Sequence, residues 1–280
     1  MTQIRLTALG PFHHRAALAM LTAHAIPGAE EVKGAIYRRV LAVDDAHVPV
    51  RLALDERGVL ADLGPTTADL DVLVSRIRGW FDLDRDIRII DHTFTADPII
   101  GPLVDKRPGL RLIGYPDEFE AVAATVIGQQ VSLATARTFA GRLVAAFGVP
   151  VPSSELCVFP EARTIAQLTI DEIRSRVGLT GARAKTLHEV AVLWADGPRL
   201  TGLTVEEARR LLLAIPGIGP WTADYLQVRA LQHPDTFAPG DLVARRALGL
   251  DQHLAKDRSR AWAPHRTHAL LHLWTEAAYL

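Results

Sequence analysis

Hydrophobic and polar positions follow different periods in the two halves of the chain. In residues 1–95, short alternating stretches at Ile36–Val43 and Val50–Leu54 predict half-buried strands. Helical spacing of apolar residues at Arg15–Ala25 and Ala68–Phe81 predicts two helices in the same region. We therefore expect an N-terminal α+β unit with a small antiparallel sheet.

The second half is predicted to be entirely helical. Pro and Gly crowd residues 96–116, which indicates a linker or domain edge. From Asp117 onward the strand pattern fades, and helix-sized segments are separated by Gly/Pro breaks. These breaks fall at Gly148–Pro152, Gly178–Gly181, Gly197–Gly202, Pro216–Pro220 and Pro234–Gly240. The pattern predicts an α+β protein with an N-terminal domain at 1–95 and a helical region at 117–280.

Residues 204–231 predict a tight helical hairpin. A capping-box pattern starts the first helix, and Pro216 ends it after Ile215. Pro220 suits the first position of a second helix, which we expect to run to about Leu231.

The turn of this hairpin contains Gly217 and Gly219. Without side chains at these positions, backbone N–H groups and the dipole of the second helix can point together at a phosphate. The hydroxyl of Thr222 is a further candidate donor. We interpret the hairpin as a binding site for the DNA backbone; the alternative is a hairpin that packs for stability only.

Asp241 follows Pro239 and Gly240 and precedes a helical stretch, which by itself is the pattern of an N-cap. Beside a DNA-binding hairpin, such a carboxylate has a second use. Positive charge develops on C1′ and on the ring oxygen of deoxyribose when an N-glycosidic bond breaks, and a fixed carboxylate stabilises that charge. Asp241 is therefore the candidate catalytic residue.

Several segments resemble the helix-hairpin-helix DNA glycosylase superfamily, and most closely the DNA-3-methyladenine glycosylase II family. They are IPGIGPWTADYL, APGDL, AVAATVIGQQVS at 121–132, WFDLD at 80–84, RPGLRLIG at 107–114 and HALLHLW at 268–274. The resemblance implies a TATA-binding-protein-like α+β domain followed by two helical subdomains. It also implies that the protein flips alkylated bases such as 3-methyladenine out of duplex DNA and excises them.

The resemblance assigns Asp241 as the catalytic aspartate and Trp274 as a residue of the base pocket. Trp221 and Tyr225 are one helical turn apart and share a face near the hairpin, so we expect them in the same pocket, although core packing is the alternative. Aromatic faces suit a methylated purine because its positive charge interacts favourably with a π-system.

Two further assignments come from the resemblance alone. Gln129 and Gln130 lie in the segment that fills the gap left by the flipped nucleotide. A structural monovalent cation is implied at the hairpin, held by the main-chain carbonyls of Leu213, Ile215 and Ile218.

The residues also indicate which kind of glycosylase to expect. Lyase members of the superfamily have a lysine just before the Thr-Ala pair of the hairpin, where this chain has Trp221, and no lysine lies between Lys185 and Lys256. We expect a monofunctional enzyme that uses water and forms no Schiff base.

Composition restricts the possible partners. The chain has 280 residues, of which 49% are hydrophobic and 22% charged, as in ordinary globular proteins. We expect a cytoplasmic protein, since no apolar run approaches the roughly 20 residues of a membrane span and the N-terminus MTQIRLTALGPFHH lacks the pattern of a signal peptide. We also expect a monomer. The single cysteine, Cys157, excludes an iron–sulfur cluster held by several thiolates. A net charge of −1 means that DNA binding must depend on local features.

Other interpretations stay open at this point. The helical spacing of His265, His268 and His272 allows a metal site, but a phosphate-facing or solvated helix is favoured. A non-catalytic helix-hairpin-helix module that grips duplex DNA is one rival function. A glycosylase for mismatched, deaminated or oxidised bases is another.

Overall fold

The computed structural model describes residues 2–196 and 200–279. Its N-terminal part is a five-stranded antiparallel sheet in the order β1-β5-β4-β3-β2. The strands are β1 (Thr2–Thr7), β2 (Glu30–Lys33), β3 (Ile36–Val43), β4 (Ala46–Asp55) and β5 (Gly58–Leu63). Helices follow the sheet, so the predicted α+β class is confirmed. Every second side chain of β4 is buried on one face of the sheet, as expected for a strand with alternating apolar residues. These side chains are Val48, Val50, Leu52 and Leu54.

Helices make up most of the remaining structure. They are α1 (His14–His24), α2 (Leu70–Trp80), α3 (Ile87–Phe94), α4 (Gly101–Lys106), α5 (Glu118–Ile127), α6 (Leu133–Phe147), α7 (Ala162–Ala166), α8 (Ile170–Val177), α9 (Gly181–Asp196), α10 (Val205–Leu213), α11 (Pro220–Arg229), α12 (Leu242–Leu248), α13 (Gln252–Ser259) and α14 (Arg266–Trp274). A 3₁₀ turn (Arg260–Trp262) precedes α14, and a π-helical turn (Thr275–Tyr279) follows it. Among the described residues, no helix is long and apolar enough to cross a bilayer.

Helix boundaries differ from the predicted ones by one or two residues. The helices α1 and α2 match the predicted segments closely, and the capping box of Thr204 and Glu207 starts α10 as expected. However, α10 ends at Leu213 and α11 ends at Arg229, so both are shorter than predicted. Residues 197–199 of the predicted break at Gly197–Gly202 lie outside the described residues.

Segment 96–116, predicted as a linker or domain edge, is packed against the rest of the protein. It contains α4, and its apolar side chains Ile100, Val104, Leu112 and Ile113 are buried. These side chains belong to the same apolar cluster as the sheet. The connection between the sheet and the later helices is therefore part of the interior.

Two large apolar clusters form most of the interior, and a small third one consists of Val40, Val151 and Val158. The first, called here the sheet core, joins the sheet and α1–α4 with residues of α12–α14 such as Ala244 and Leu271. The second, the helical core, joins α5–α11 through residues such as Val126 and Leu187. After passing through the helical core, the chain thus returns to pack against its own N-terminal sheet.

A buried ion pair connects the sheet to α5. Arg39 on β3 donates to the two carboxylate oxygens of Glu120 at 3.1 and 2.6 Å, and to Glu30 at 3.0 Å. The side chains of Arg39 and Glu120 are each only 3% exposed. This two-point contact orients the sheet relative to the first helix of the helical core.

The prediction that the histidine-bearing face of α14 is solvated or faces a phosphate is wrong. His268 and His272 are 1% and 2% exposed, so this face of α14 is neither solvated nor free to meet a phosphate. Burial, together with Arg107 and His13, lowers the pKa of His272 to about 3. Burial likewise lowers the pKa of His268 well below its usual value. Both rings are therefore neutral at physiological pH.

Because these histidines are neutral in the folded protein, we expect the protein to lose stability in acid. The unfolded chain binds a proton at His272 below about pH 6.5, whereas the folded protein does so only near pH 3, so stability falls as pH decreases between these values. At pH 5 this costs about 2 kcal/mol for one such histidine. We expect His272→Leu to lose less unfolding free energy between pH 7 and pH 5 than the unmodified protein, as measured by urea denaturation.

The matched control is His253→Gln, because the side chain of His253 is 83% exposed on α13. This variant should follow the unmodified protein at both pH values. An equal loss in His272→Leu and the unmodified protein would contradict the prediction.

Candidate active site

Asp241 is the N-cap of α12, and its carboxylate is held by three N–H donors. Its Oδ1 accepts from the backbone N–H of Ala244 at 2.8 Å and from the indole N–H of Trp274 at 2.9 Å. Its Oδ2 accepts from the indole N–H of Trp221 at 3.0 Å. The side chain is buried, so these bonds provide most of the stabilisation of its charge.

Three aromatic rings lie beside this carboxylate. Trp221 and Tyr225 are stacked, with ring centroids 5.2 Å apart and an interplanar angle of 25°. Tyr225 and Trp274 are tilted, with centroids 5.6 Å apart. Trp274 is buried, whereas Trp221 remains 37% exposed. The three predicted pocket residues are thus close together in the structure. That both indoles bind Asp241 could not be predicted from the sequence.

A cavity of about 370 Å³ opens in front of these residues. Its lining comes from both cores: Ala124, Thr125, Leu133, Arg137 and Ala140 from α5 and α6, Trp221 and Tyr225 from α11, Asp241 and Val243 around the start of α12, and Trp274 and Tyr279 from the C-terminal segment, with His24 and Tyr115 from the N-terminal part. This volume suits a small molecule or a single base.

A larger cleft of about 840 Å³ lies elsewhere, between β3, α5 and the end of α9. Its lining includes several charged residues, among them Arg39, Glu118 and Arg163. Neither Asp241 nor the three aromatic rings border it. We therefore place the candidate active site in the smaller, aromatic cavity.

The two positions of the hairpin turn that are occupied by glycine differ in what a side chain there would meet. Gly217 has φ of +93°, and a Cβ there would lie 2.1 Å from the hydroxyl oxygen of Thr186, which donates to the Pro216 carbonyl at 2.9 Å. The protein's own packing therefore excludes a side chain at 217. A Cβ at Gly219 would meet no atom within 4 Å, so only this glycine keeps open space in front of the hairpin.

The start of α11 differs in part from the prediction. Gly219 is its N-cap, and no side chain of the described residues caps this end, so the first N–H groups are not satisfied by a capping side chain. Thr222 is buried, and its hydroxyl accepts from Gln129 at 3.1 Å. Its hydroxyl thus contacts the side chain of Gln129 within the protein, and its role as a donor to a phosphate stays a prediction.

The structure separates the two glutamines. The amide of Gln129 donates to Thr222 and to the Gly217 carbonyl at 3.0 Å, which ties α5 to the hairpin. Gln130 is exposed at the turn before α6 and has φ of +56°. Of the pair, only Gln130 has a side chain that is free of such contacts and accessible from outside.

The carbonyls suggested for a cation lie at the same turn. Leu213 is the last residue of α10, and the carbonyl of Ile215 accepts the N–H of Ile218 at 3.1 Å. A carbonyl oxygen has a second lone pair, so this bond is compatible with cation binding.

Two protein-family models match this chain. A family model described as "AlkA N-terminal domain" matches residues 3–117, and one described as "HhH-GPD superfamily base excision DNA repair protein" matches residues 123–265. The chain belongs to the HhH-GPD superfamily of base excision DNA repair proteins.

Individual relatives agree with this assignment. The chain is 31% identical over 267 residues to DNA-3-methyladenine glycosylase 2 of Escherichia coli K12, covering 92% of this chain and 91% of that protein. It is 34% identical to a probable bifunctional transcriptional activator/DNA repair enzyme AlkA of Mycobacterium tuberculosis, covering 97% of this chain. The chain spans only 56% of the length of that mycobacterial protein.

A solved structure has the same fold. The 3-methyladenine DNA glycosylase of Archaeoglobus fulgidus superposes with a TM-score of 0.86 at 20% identity, and the match covers 100% of both chains. At this identity the similarity establishes the arrangement of the sheet and helices.

Proposed function

We propose that this chain is a DNA glycosylase that hydrolyses the N-glycosidic bond of alkylated bases, such as 3-methyladenine, in duplex DNA. One observation carries the proposal: the carboxylate of Asp241 is held by two indoles and a helix N-terminus at the wall of a cavity of about 370 Å³. The glycosylase names of its relatives in Escherichia coli and Bacillus subtilis support the same substrate class.

The aromatic lining suits a flipped, alkylated purine. Methylation at N3 or N7 gives the base a positive charge, and stacking on Trp221 or Tyr225 then contributes about 0.5–2 kcal/mol through the cation–π interaction. Flipping costs a few kcal/mol and is easiest for a damaged base. The exposed Gln130 is the residue that we assign to fill the gap in the duplex, while Gln129 supports the hairpin.

Asp241 would stabilise the transition state electrostatically. A carboxylate offers about four acceptor positions, and three of them are used by N–H groups of the protein. The remaining position on Oδ2 is available to the sugar or to a water molecule. As the bond from C1′ to the base breaks, its electron pair leaves with the base, and the carboxylate offsets the positive charge on the sugar. Water forms the new bond to C1′ and releases a proton to solvent. Trp221 and Trp274 are positioning residues that hold the carboxylate in place.

The hairpin would bind the DNA backbone. The uncapped N–H groups at the start of α11 and the open space at Gly219 suit a phosphate oxygen. A monovalent cation, if held by the carbonyls of Leu213, Ile215 and Ile218, would add positive charge beside that phosphate. Because the chain has a net charge of −1, such local contacts must provide the attraction.

A monofunctional mechanism agrees with the residues around the cavity. A lyase needs an amine close to C1′, but no lysine lines the cavity in the described part of the chain. Lys185 and Lys256 are exposed on α9 and α13. Water is therefore the nucleophile that we propose.

Asp241→Asn tests the catalytic role. We expect single-turnover release of 3-methyladenine from methylated duplex DNA to fall at least about 100-fold, because the charge that stabilises the sugar is removed. Binding to the same DNA should persist in a gel-shift assay. Unchanged release would contradict the proposal, and binding without any release by the unmodified protein would favour a non-catalytic DNA-binding module.

Asp251→Asn is the matched control. Asp251 caps α13 in the same way, accepting from the N–H of Leu254 at 2.9 Å, but does not line the cavity. Both variants lose a charged N-cap, so only the loss of charge in the cavity should slow base release. Comparable slowing in the two variants would indicate an effect on folding.

Alanine substitutions at the two turn glycines separate folding from DNA binding. Gly217→Ala should lower the free energy of unfolding by about 1–3 kcal/mol, because of its positive φ and the clash with Thr186. Gly219→Ala should change stability by less than about 0.5 kcal/mol and weaken DNA binding several-fold, since its Cβ occupies the space for a phosphate. Urea denaturation and fluorescence anisotropy measure the two effects. Undiminished binding by Gly219→Ala would exclude this site of backbone contact.

Borohydride trapping tests the absence of lyase chemistry. We expect no covalent protein–DNA adduct after reduction in the presence of alkylated DNA, because no lysine among the described residues lines the cavity to form a Schiff base. A denaturing gel resolves such adducts, and a known glycosylase/lyase provides the positive control. A trapped complex would show that an amine of this chain does reach C1′.

A further inference from the structure

A histidine and a tyrosine from opposite ends of the chain form part of the cavity lining. His24 is the last residue of α1, and Tyr279 is the last residue of the π-helical turn after α14. His24 Nε2 and the Tyr279 hydroxyl are 2.9 Å apart, and their rings are nearly edge to face. The cavity is otherwise lined largely by apolar and aromatic groups, so this pair places hydrogen-bonding atoms where a base would lie.

Two other polar side chains of the lining have partners elsewhere. The hydroxyl of Thr125 donates to the Ala121 carbonyl at 2.7 Å, and Nε of Arg137 donates to the Ala25 carbonyl at 2.9 Å. The bond between His24 and Tyr279 uses only part of the capacity of the tyrosine hydroxyl, which carries one proton and two lone pairs. The hydroxyl therefore retains capacity to bond a ligand.

Electrostatics keep both members of the pair neutral. Burial, together with the positive charges of Arg229 and Arg137, lowers the pKa of His24 to about 3. Arg229 is itself buried, with its guanidinium 5.2 Å from the ring centroid of Tyr115. Burial also raises the pKa of the Tyr279 hydroxyl. A neutral pair does not repel a cationic base, which a protonated histidine would do.

The neutral pair has two hydrogen-bonding arrangements. When the Tyr279 hydroxyl donates to Nε2 of His24, its oxygen can accept a hydrogen bond from an amino group. When the other imidazole tautomer is present, Nε2–H donates to the tyrosine oxygen, and the hydroxyl can donate to a carbonyl. Exchange between the two arrangements needs only a tautomer change and rotation of the hydroxyl.

We propose that His24 and Tyr279 determine base specificity by hydrogen-bonding the 6-substituent of the flipped purine, accepting from an amino group or donating to a carbonyl. The inference rests on the proposed function. With C1′ held at Asp241, the purine extends into the cavity and presents the edge that carries C6 farthest from the sugar. A residue of the N-terminal helix α1 thus contributes directly to the base pocket.

Duplexes that differ at the 6-position test this inference. Single-turnover release is measured for 3-methyladenine (6-amino), hypoxanthine (6-carbonyl) and unsubstituted purine, each with the unmodified protein and with Tyr279→Phe. We expect Tyr279→Phe to slow release of the first two bases about tenfold, the effect of one lost hydrogen bond, and to change release of purine less than about twofold. The double variant with His24→Leu should be no slower than the slower single variant, because the pair acts as a unit.

Tyr37→Phe is the matched control. It removes a hydroxyl that is fully buried in the sheet core, outside the cavity lining, and it should leave the three rates unchanged. Equal slowing on all three substrates in Tyr279→Phe, or no slowing on any, would overturn the inference. Slowing confined to one of the two 6-substituted bases would overturn the claim that the pair both accepts from an amino group and donates to a carbonyl. If the unmodified protein releases none of the three bases, the proposed function itself fails, and this inference with it.

Discussion

A buried carboxylate with three N–H donors is the constraint on which the rest of the site depends. Burying an ionised group without partners costs several kcal/mol, so the position of Asp241 requires that all three donors be present. They come from α11, from the start of α12 and from the end of α14. Satisfying one anion therefore fixes three helices relative to one another and leaves one acceptor position facing the cavity.

The path of the chain places this anion beside a cavity. The helical core includes α5–α11, and the sheet core includes α12–α14. Asp241 therefore lies just after the chain passes from the helical core to the sheet core. The cavity is lined from both sides, including the end of α1 and the last turn of the chain that is described. An N-terminal domain that packs in this way shapes the cavity as well as supporting the fold.

Several site predictions from the sequence proved incomplete for identifiable reasons. The turn glycines were both assigned to phosphate access, but Gly217 is required by Thr186, which lies on α9, 31 positions earlier in the numbering. Gln129 and Gln130 are adjacent in the sequence, yet their side chains have different surroundings. That of Gln129 bonds to the hairpin, and that of Gln130 is exposed. The histidines of α14 have helical spacing, but spacing alone does not reveal which face of a helix the sheet core covers.

The sequence by itself determined the features that depend on near neighbours. Strand alternation, the capping box at Thr204, the hairpin turn and the N-cap at Asp241 are all set by residues within about four positions, and the segments that resemble one superfamily pointed to the correct class. The tertiary structure alone decided that two indoles bind Asp241, that α14 buries its histidines, and that His24 meets Tyr279 across 255 positions. Such contacts arise from the packing of whole elements against two cores, and local periodicity carries no information about which elements meet.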